Sequence, residues 1–222
     1  MDRIVLIMDT GRFVDFHTAQ WFASRGDKVM FIGDIARRGA VYGGMPYLRV
    51  TPTDEAGLLA AAERIEQQYG RLDVLVIGAF LHPEDGKIGT GHDYDAFTDT
   101  LTLNVVGCRK MIEVFSPLLA KGMKRIACIT DMESSNTWST GDKDLAYHAS
   151  LAAINMLGRM MFNKLRPEGF TFRWYCESRE KGGMSAAEYI ASSLCYDPKE
   201  PYTHSDENRF VLRDAFLREI SW

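Results

Sequence analysis

Short apolar runs alternate along this chain with longer segments in which apolar positions recur every three to four residues. RIVLIM (from Arg3), KVMFIG (from Lys28), YLRV (from Tyr47), LDVLVIG (from Leu72), RIACIT (from Arg125) and FTFRWYC (from Phe170) are the runs. Uninterrupted apolar runs of this length predict strands buried on both faces. Between them, helical periodicity spans Phe13 to Ser24, Glu55 to Gln68, Asp95 to Leu119 and Leu145 to Leu165. Gly26, Gly70 and Gly169 follow helices at places that suit a left-handed cap. Strand–helix alternation predicts the α/β class: a doubly wound parallel sheet flanked by helices, with right-handed crossovers. From Glu177 to a strand-like segment at Phe210 the pattern fades, leaving little room for a large lid over a pocket.

Composition adds bounds. The 222 residues, 46% hydrophobic and 25% charged, are expected to form a single domain over 1–222. A net charge of −4, with no basic cluster longer than Arg37-Arg38, argues against nucleic acid. Cys108, Cys128, Cys176 and Cys195 are widely spaced with no CxxC pair, as expected of buried free thiols in a reducing compartment. The apolar run ending at Met8 is too short for a signal peptide, and no run approaches a membrane span, so a cytoplasmic protein without membrane contact is expected.

The chemistry-bearing segments come next. Tyr147-His148-Ala149-Ser150-Leu151 opens the last long helix, GRLDVLVIGAF holds the fourth strand, LTLNVVG carries Asn104, and ENRFVLRDAFLREISW ends the chain. In order and spacing these resemble the short-chain dehydrogenase/reductase (SDR) family over nearly the whole chain. The resemblance implies a Rossmann-like fold and an active site of tyrosine, lysine, serine and asparagine. Leu151 stands where the family's YxxxK lysine would be. A tyrosine near its ordinary pKa of about 10 is ionised only about one part in a thousand at neutral pH. The family lysine lowers that barrier and holds the nicotinamide ribose; leucine does neither.

The family's glycine-rich TGxxxGxG turn, where backbone N–H groups meet the cofactor pyrophosphate, is also altered. Aligned without gaps on Met8 to Asp15, its glycine places hold Asp9, Phe13 and Asp15. A register that makes Thr10-Gly11 the TG pair puts Asp15 and His17 at the other two. A carboxylate about 5 Å from a phosphate charge costs about 3 kcal/mol at an effective dielectric of about 20, or about two orders of magnitude in affinity. Thr51 replaces an adenine-binding aspartate, Ile77-Gly78-Ala79-Phe80 replaces NNAG, and Glu177-Ser178 replaces Pro-Gly. Asp34 near a ribose hydroxyl, or Arg37 and Arg38 near a 2′-phosphate, are better read as surface charges after a strand.

What remains of the catalytic set is Tyr147, Asn104 and a vestigial serine. Counting thirteen positions back from the tyrosine selects Ser134, with Ser135 beside it; counting from the strand selects Thr130 or Asp131. A histidine-and-carboxylate segment from His82 to Asp95 lacks metal-ligand spacing, and no metal is expected. The helices around Leu101–Leu119 and Leu145–Leu165 carry more apolar residues than one core stripe requires, among them Met160 and Met161, which cannot both point inward. In the SDR family these helices form a four-helix dimer interface. Three functions follow from the resemblance. The first is a pseudoenzyme subunit, binding no cofactor when isolated, that pairs with an intact NAD-dependent SDR subunit (of the hydroxyacyl-CoA type, for which the family has active-plus-degenerate pairs) or with itself. The second is a divergent NAD(P)-dependent oxidoreductase using Tyr147 and Asn104. The third is a regulatory module holding another ligand in the old cleft.

Overall fold

The computed structural model describes residues 2–34, 44–80, 91, 93–177, 182–195 and 206–222. Eight strands form one sheet in the order β3-β2-β1-β4-β5-β6-β7-β8. They are β1 (Ile4–Met8), β2 (Lys28–Gly33), β3 (Tyr47–Arg49), β4 (Val74–Gly78), β5 (Arg125–Asp131), β6 (Thr171–Glu177), β7 (Leu212–Arg213) and β8 (Glu219–Ile220). Every residue of β1 and β4 is buried, because alternate side chains enter cores on opposite faces. Ile4, Leu6 and Met8 pack on α2 (Glu55–Tyr69), α4 (Gly107–Ala120) and α5 (Leu145–Leu165). Val5 and Ile7 join Ala19 and Phe22 of α1 (Phe13–Ala23) and Ile190 of α6 (Ala186–Leu194). The uninterrupted apolar runs are the consequence of covering both faces.

The parallel pairings run from β3 to β7, but β7 and β8 pair antiparallel, Leu212 with Ile220. The doubly wound parallel sheet expected from the alternation is present, with one antiparallel pair added at its last edge, where the link is short enough to be a hairpin. Gly26, Gly70 and Gly169 have φ of 85°, 73° and 88°, the left-handed conformation the pattern called for. Helix α6 escaped the periodicity reading, although its signal was present: Ser185 and Glu188 form a capping box, each side chain bonding the other's backbone N–H.

The helix anticipated over Asp95 to Leu119 is α3 (Tyr94–Leu101) and α4 joined by a π-helical turn, Thr102–Val106. That turn inserts Asn104 into the interior, where it is completely buried. Bulges of this kind re-aim one side chain without ending the helix. No described helix is long and apolar enough to cross a membrane.

Candidate functional site

Strands β1 to β7 point their carboxyl ends to one edge, and the order reverses between β1 and β4, the place where doubly wound sheets receive ligands. The turn from β1 into α1 stands there. Its backbone N–H groups of Thr10, Gly11 and Arg12 form a concave donor set, the kind of nest that binds phosphate. Here the chain fills the nest itself. Asp15 accepts from the Thr10 amide at 2.9 Å, the Thr10 hydroxyl at 2.6 Å and the Arg12 amide at 3.3 Å. Asp9 accepts from the Gly11 amide at 3.0 Å and from the Tyr47 hydroxyl at 3.1 Å. Burial is the largest influence on the Asp15 carboxyl and pushes its pKa up, opposed by Arg12 and by the Thr10 hydrogen bonds.

Arg12 closes the groove beyond the nest. Its guanidinium crosses the end of β4 and donates to the Ile129 carbonyl of β5 at 2.7 Å, while Nε donates to the Thr10 hydroxyl at 3.2 Å. Glu177 at the end of β6 lies 3.9 Å away. The arginine passes where Gly78 has no side chain: a Cβ there would stand 3.0 Å from its Nη2. Burial opposes the Arg12 charge, but Asp15, Tyr147, Glu177 and Asp131 together hold its pKa above the ordinary value. Phe13, by contrast, is turned outward and 78% exposed. At the far end of the groove Thr51 bonds Asp34 at 3.2 Å. Arg37, Arg38, His82 and His92 lie outside the described residues.

Tyr147 is nearly buried and donates its hydroxyl to Asp131 at 2.6 Å. The strand count, not the thirteen-residue count, therefore finds its neighbour. Burial and then the Asp131 charge raise the phenol's pKa far above its usual value, with Arg12 pulling weakly the other way. A phenol so placed stays protonated. At Ser134 the backbone carbonyl accepts from the side-chain amide of Asn155 of α5 at 3.1 Å, and among the described residues its hydroxyl has no partner. Asn104 clamps the chain after β4: it accepts from the Phe80 amide at 2.8 Å and donates to the Phe80 carbonyl at 3.2 Å. It also donates to the Ser150 hydroxyl at 2.9 Å. Leu151 is wholly buried in the core beneath Tyr147. Among the described residues no cluster of histidine, cysteine and carboxylate suits a metal.

Sequence reasoning had no signal for Arg12 and none for His148. His148 Nδ1 meets the Asp144 carbonyl at 2.8 Å and Nε2 meets Glu133 at 2.9 Å. Two acceptors on two ring nitrogens require the doubly protonated ring. Burial works against that charge but is outweighed by the bonds to Asp144 and Glu133, so the pKa is raised. The stabilisation is complete below the unfolded value of about 6.5 and is lost as pH rises through the higher native value. An NMR titration should place His148 above about 6.5, and Glu133→Gln should bring it down. A titration indifferent to Glu133→Gln would remove this clasp from the loop.

Comparison with known proteins follows the geometry. The profile of the enoyl-(acyl carrier protein) reductase family matches residues 15–173. The short-chain dehydrogenase/reductase ATR10 of Stachybotrys chlorohalonatus is 30% identical over 167 residues, 72% of this chain and 59% of that protein. The C-signal protein of Myxococcus xanthus is 37% identical over 79 residues, 35% of this chain and 48% of that one. This chain thus spans about half to three-fifths of the length of these relatives. Among solved structures, the Sniffer protein of Caenorhabditis elegans superposes with a TM-score of 0.82 at 17% identity, covering 100% of both chains. Pseudomonas aeruginosa RhlG, solved with NADP in its active site, gives 0.68 at 22% identity over 88% of this chain and 77% of that one.

Proposed function

Because this chain belongs to the short-chain dehydrogenase/reductase family, we propose that it acts as a non-catalytic member of an oligomer whose partner is an intact NAD-dependent family subunit. One observation carries the reading: Asp9 and Asp15 take three successive backbone N–H groups that a dinucleotide phosphate would need. A phosphate entering this nest must displace a bonded carboxylate and then sit beside it. The site chemistry agrees. Arg12 lies near enough to influence Tyr147 and is the candidate replacement for the missing lysine in a divergent oxidoreductase. The bond to Asp131 nevertheless keeps the phenol protonated, so Tyr147 is a poor base.

The association surface is narrower than the apolar count of the two helices suggested. Met111, Ile112, Phe115, Leu119, Ile154, Met161 and Leu165 all serve the chain's own core. Met160 is 64% exposed while Met161 is 7% exposed, and Met156, one turn before Met160, is also open. A methionine-bearing helix face adapts readily to a partner. Calorimetry on the isolated chain should show no NADH or NADPH binding tighter than about 1 mM, equivalent to about −4 kcal/mol. Mixed with a family member carrying an intact Tyr-x-x-x-Lys site and encoded beside it, the chain should sediment as a complex. Met160→Glu should weaken that complex without lowering the melting temperature. Micromolar NADH binding by the isolated chain would overturn the reading.

A further inference from the structure

A cavity adjoins α1 beside the filled turn. It measures about 560 Å³ and opens between α1, the end of β6 and the start of α6, within the range of small-molecule sites. Three aromatic side chains, Phe13, Trp21 and Tyr175, contribute to its wall, with Met184 and the carboxylates Glu177 and Glu188. One face of Trp21 already carries the Arg25 guanidinium, 3.4 Å from the ring centroid. Tyr175 is held by its hydroxyl bond to the Met184 carbonyl at 2.7 Å. Thr18, almost wholly buried in the wall, has a hydroxyl without a partner among the described residues.

The charge around this cavity runs opposite to what a dinucleotide requires. Among the described residues of its wall, His17 is the one basic side chain. Glu177 has a side chain 44% exposed and meets Arg12 at 3.9 Å, the outer limit of an ion pair. Behind it stand Asp15 and Asp131, whose charges also reach Glu177, against the single buried guanidinium of Arg12. Glu188 is held ionised by its bonds to the Ser185 amide and hydroxyl. A ligand with an anionic head would meet carboxylates; one with a cationic head and a flat apolar body meets both a counter-charge and ring faces.

We propose that this cavity binds a small arylalkyl primary amine in its ammonium form, the charge set against Glu177 and the ring among Phe13, Trp21 and Tyr175. The proposal goes beyond the subunit role and rests on the lining of this cavity, not on the neighbouring nest. Tryptamine is the probe and indole-3-propionate its anionic counterpart, each titrated into the isolated chain by calorimetry. Tryptamine should bind below about 1 mM and about ten-fold or more tighter than the acid. Glu177→Gln should weaken it about ten-fold, and added salt should weaken it too. Phe13→Ala, at a side chain exposed enough to spare the fold, should cost about three-fold or more. Equal or tighter binding of indole-3-propionate, binding of neither probe, or tryptamine affinity indifferent to both substitutions would overturn the proposal. NADH titrated in the same series keeps the two readings apart, since its binding would defeat the subunit reading and leave this one standing.

Discussion

Leu151→Lys should destabilise the chain by about 4 kcal/mol at pH 7 and should not produce a dehydrogenase. Leu151 is wholly buried among apolar side chains, so an ammonium there has neither water nor a carboxylate. Burial disfavours the charged form of such a lysine, and depressing its pKa by about three units costs about 4 kcal/mol. For a chain of this size the melting temperature should fall by about 8–16 °C. The pH dependence carries a definite sign. The native pKa lies below the unfolded value of about 10.4, so the penalty is full below the native pKa and disappears as pH rises through the unfolded one. Thermal melts between pH 7 and pH 10 read this directly. Appearance of NADH turnover, or a melting temperature unmoved at pH 7, would show that the helix can rotate the new side chain into the groove.

Asp15→Ala should cost about 3 kcal/mol, because the Thr10 amide, the Thr10 hydroxyl and the Arg12 amide lose their shared acceptor. Arg12 also loses its strongest counter-charge. Unlike an ordinary loss of packing, this defect should be repairable from solution. Sulfate at about ten times its dissociation constant restores about 1.4 kcal/mol if it enters the vacated nest. Denaturant melts of the parent and Asp15→Ala chains, with and without sulfate against a chloride control of equal ionic strength, test this. Parallel responses of the two chains would mean that the nest does not bind anions once emptied.

The fold was legible because the central strands are covered on both faces, which writes them into the sequence as solid apolar runs. Leu145–Leu165 matched to the residue for the same kind of reason: its stripe faces one core throughout. The π turn was not legible, since Thr102–Val106 has the composition of an ordinary helix and its cause is tertiary, the demand of Phe80's backbone for Asn104. The short C-terminal strands were missed as a hairpin because two-residue strands carry no period. At the site, the aspartates in the glycine places were visible as obstacles to phosphate. Their positive role, bonding the same N–H groups, needed coordinates, as did the path of Arg12 over Gly78. Ser134 was selected by a fixed count through a loop whose length has changed; Asp131 is bonded to Tyr147 because strand register, unlike loop length, is pinned by neighbours.

Asp9, Arg12 and Asp15 also bear on how such a chain can change over time. Each is held by bonds that another of the three makes necessary: the aspartates fill a nest that would otherwise be bare, and the arginine balances the charge they bring. Replacing either aspartate with the glycine that the family's turn has at its place leaves the other aspartate and Arg12 mismatched, so single steps toward phosphate binding lower stability before they restore anything. Contacting residues of this kind have strongly non-additive effects. The turn therefore behaves as a ratchet, and a lineage that has passed through it would regain a dinucleotide site only by several coordinated substitutions.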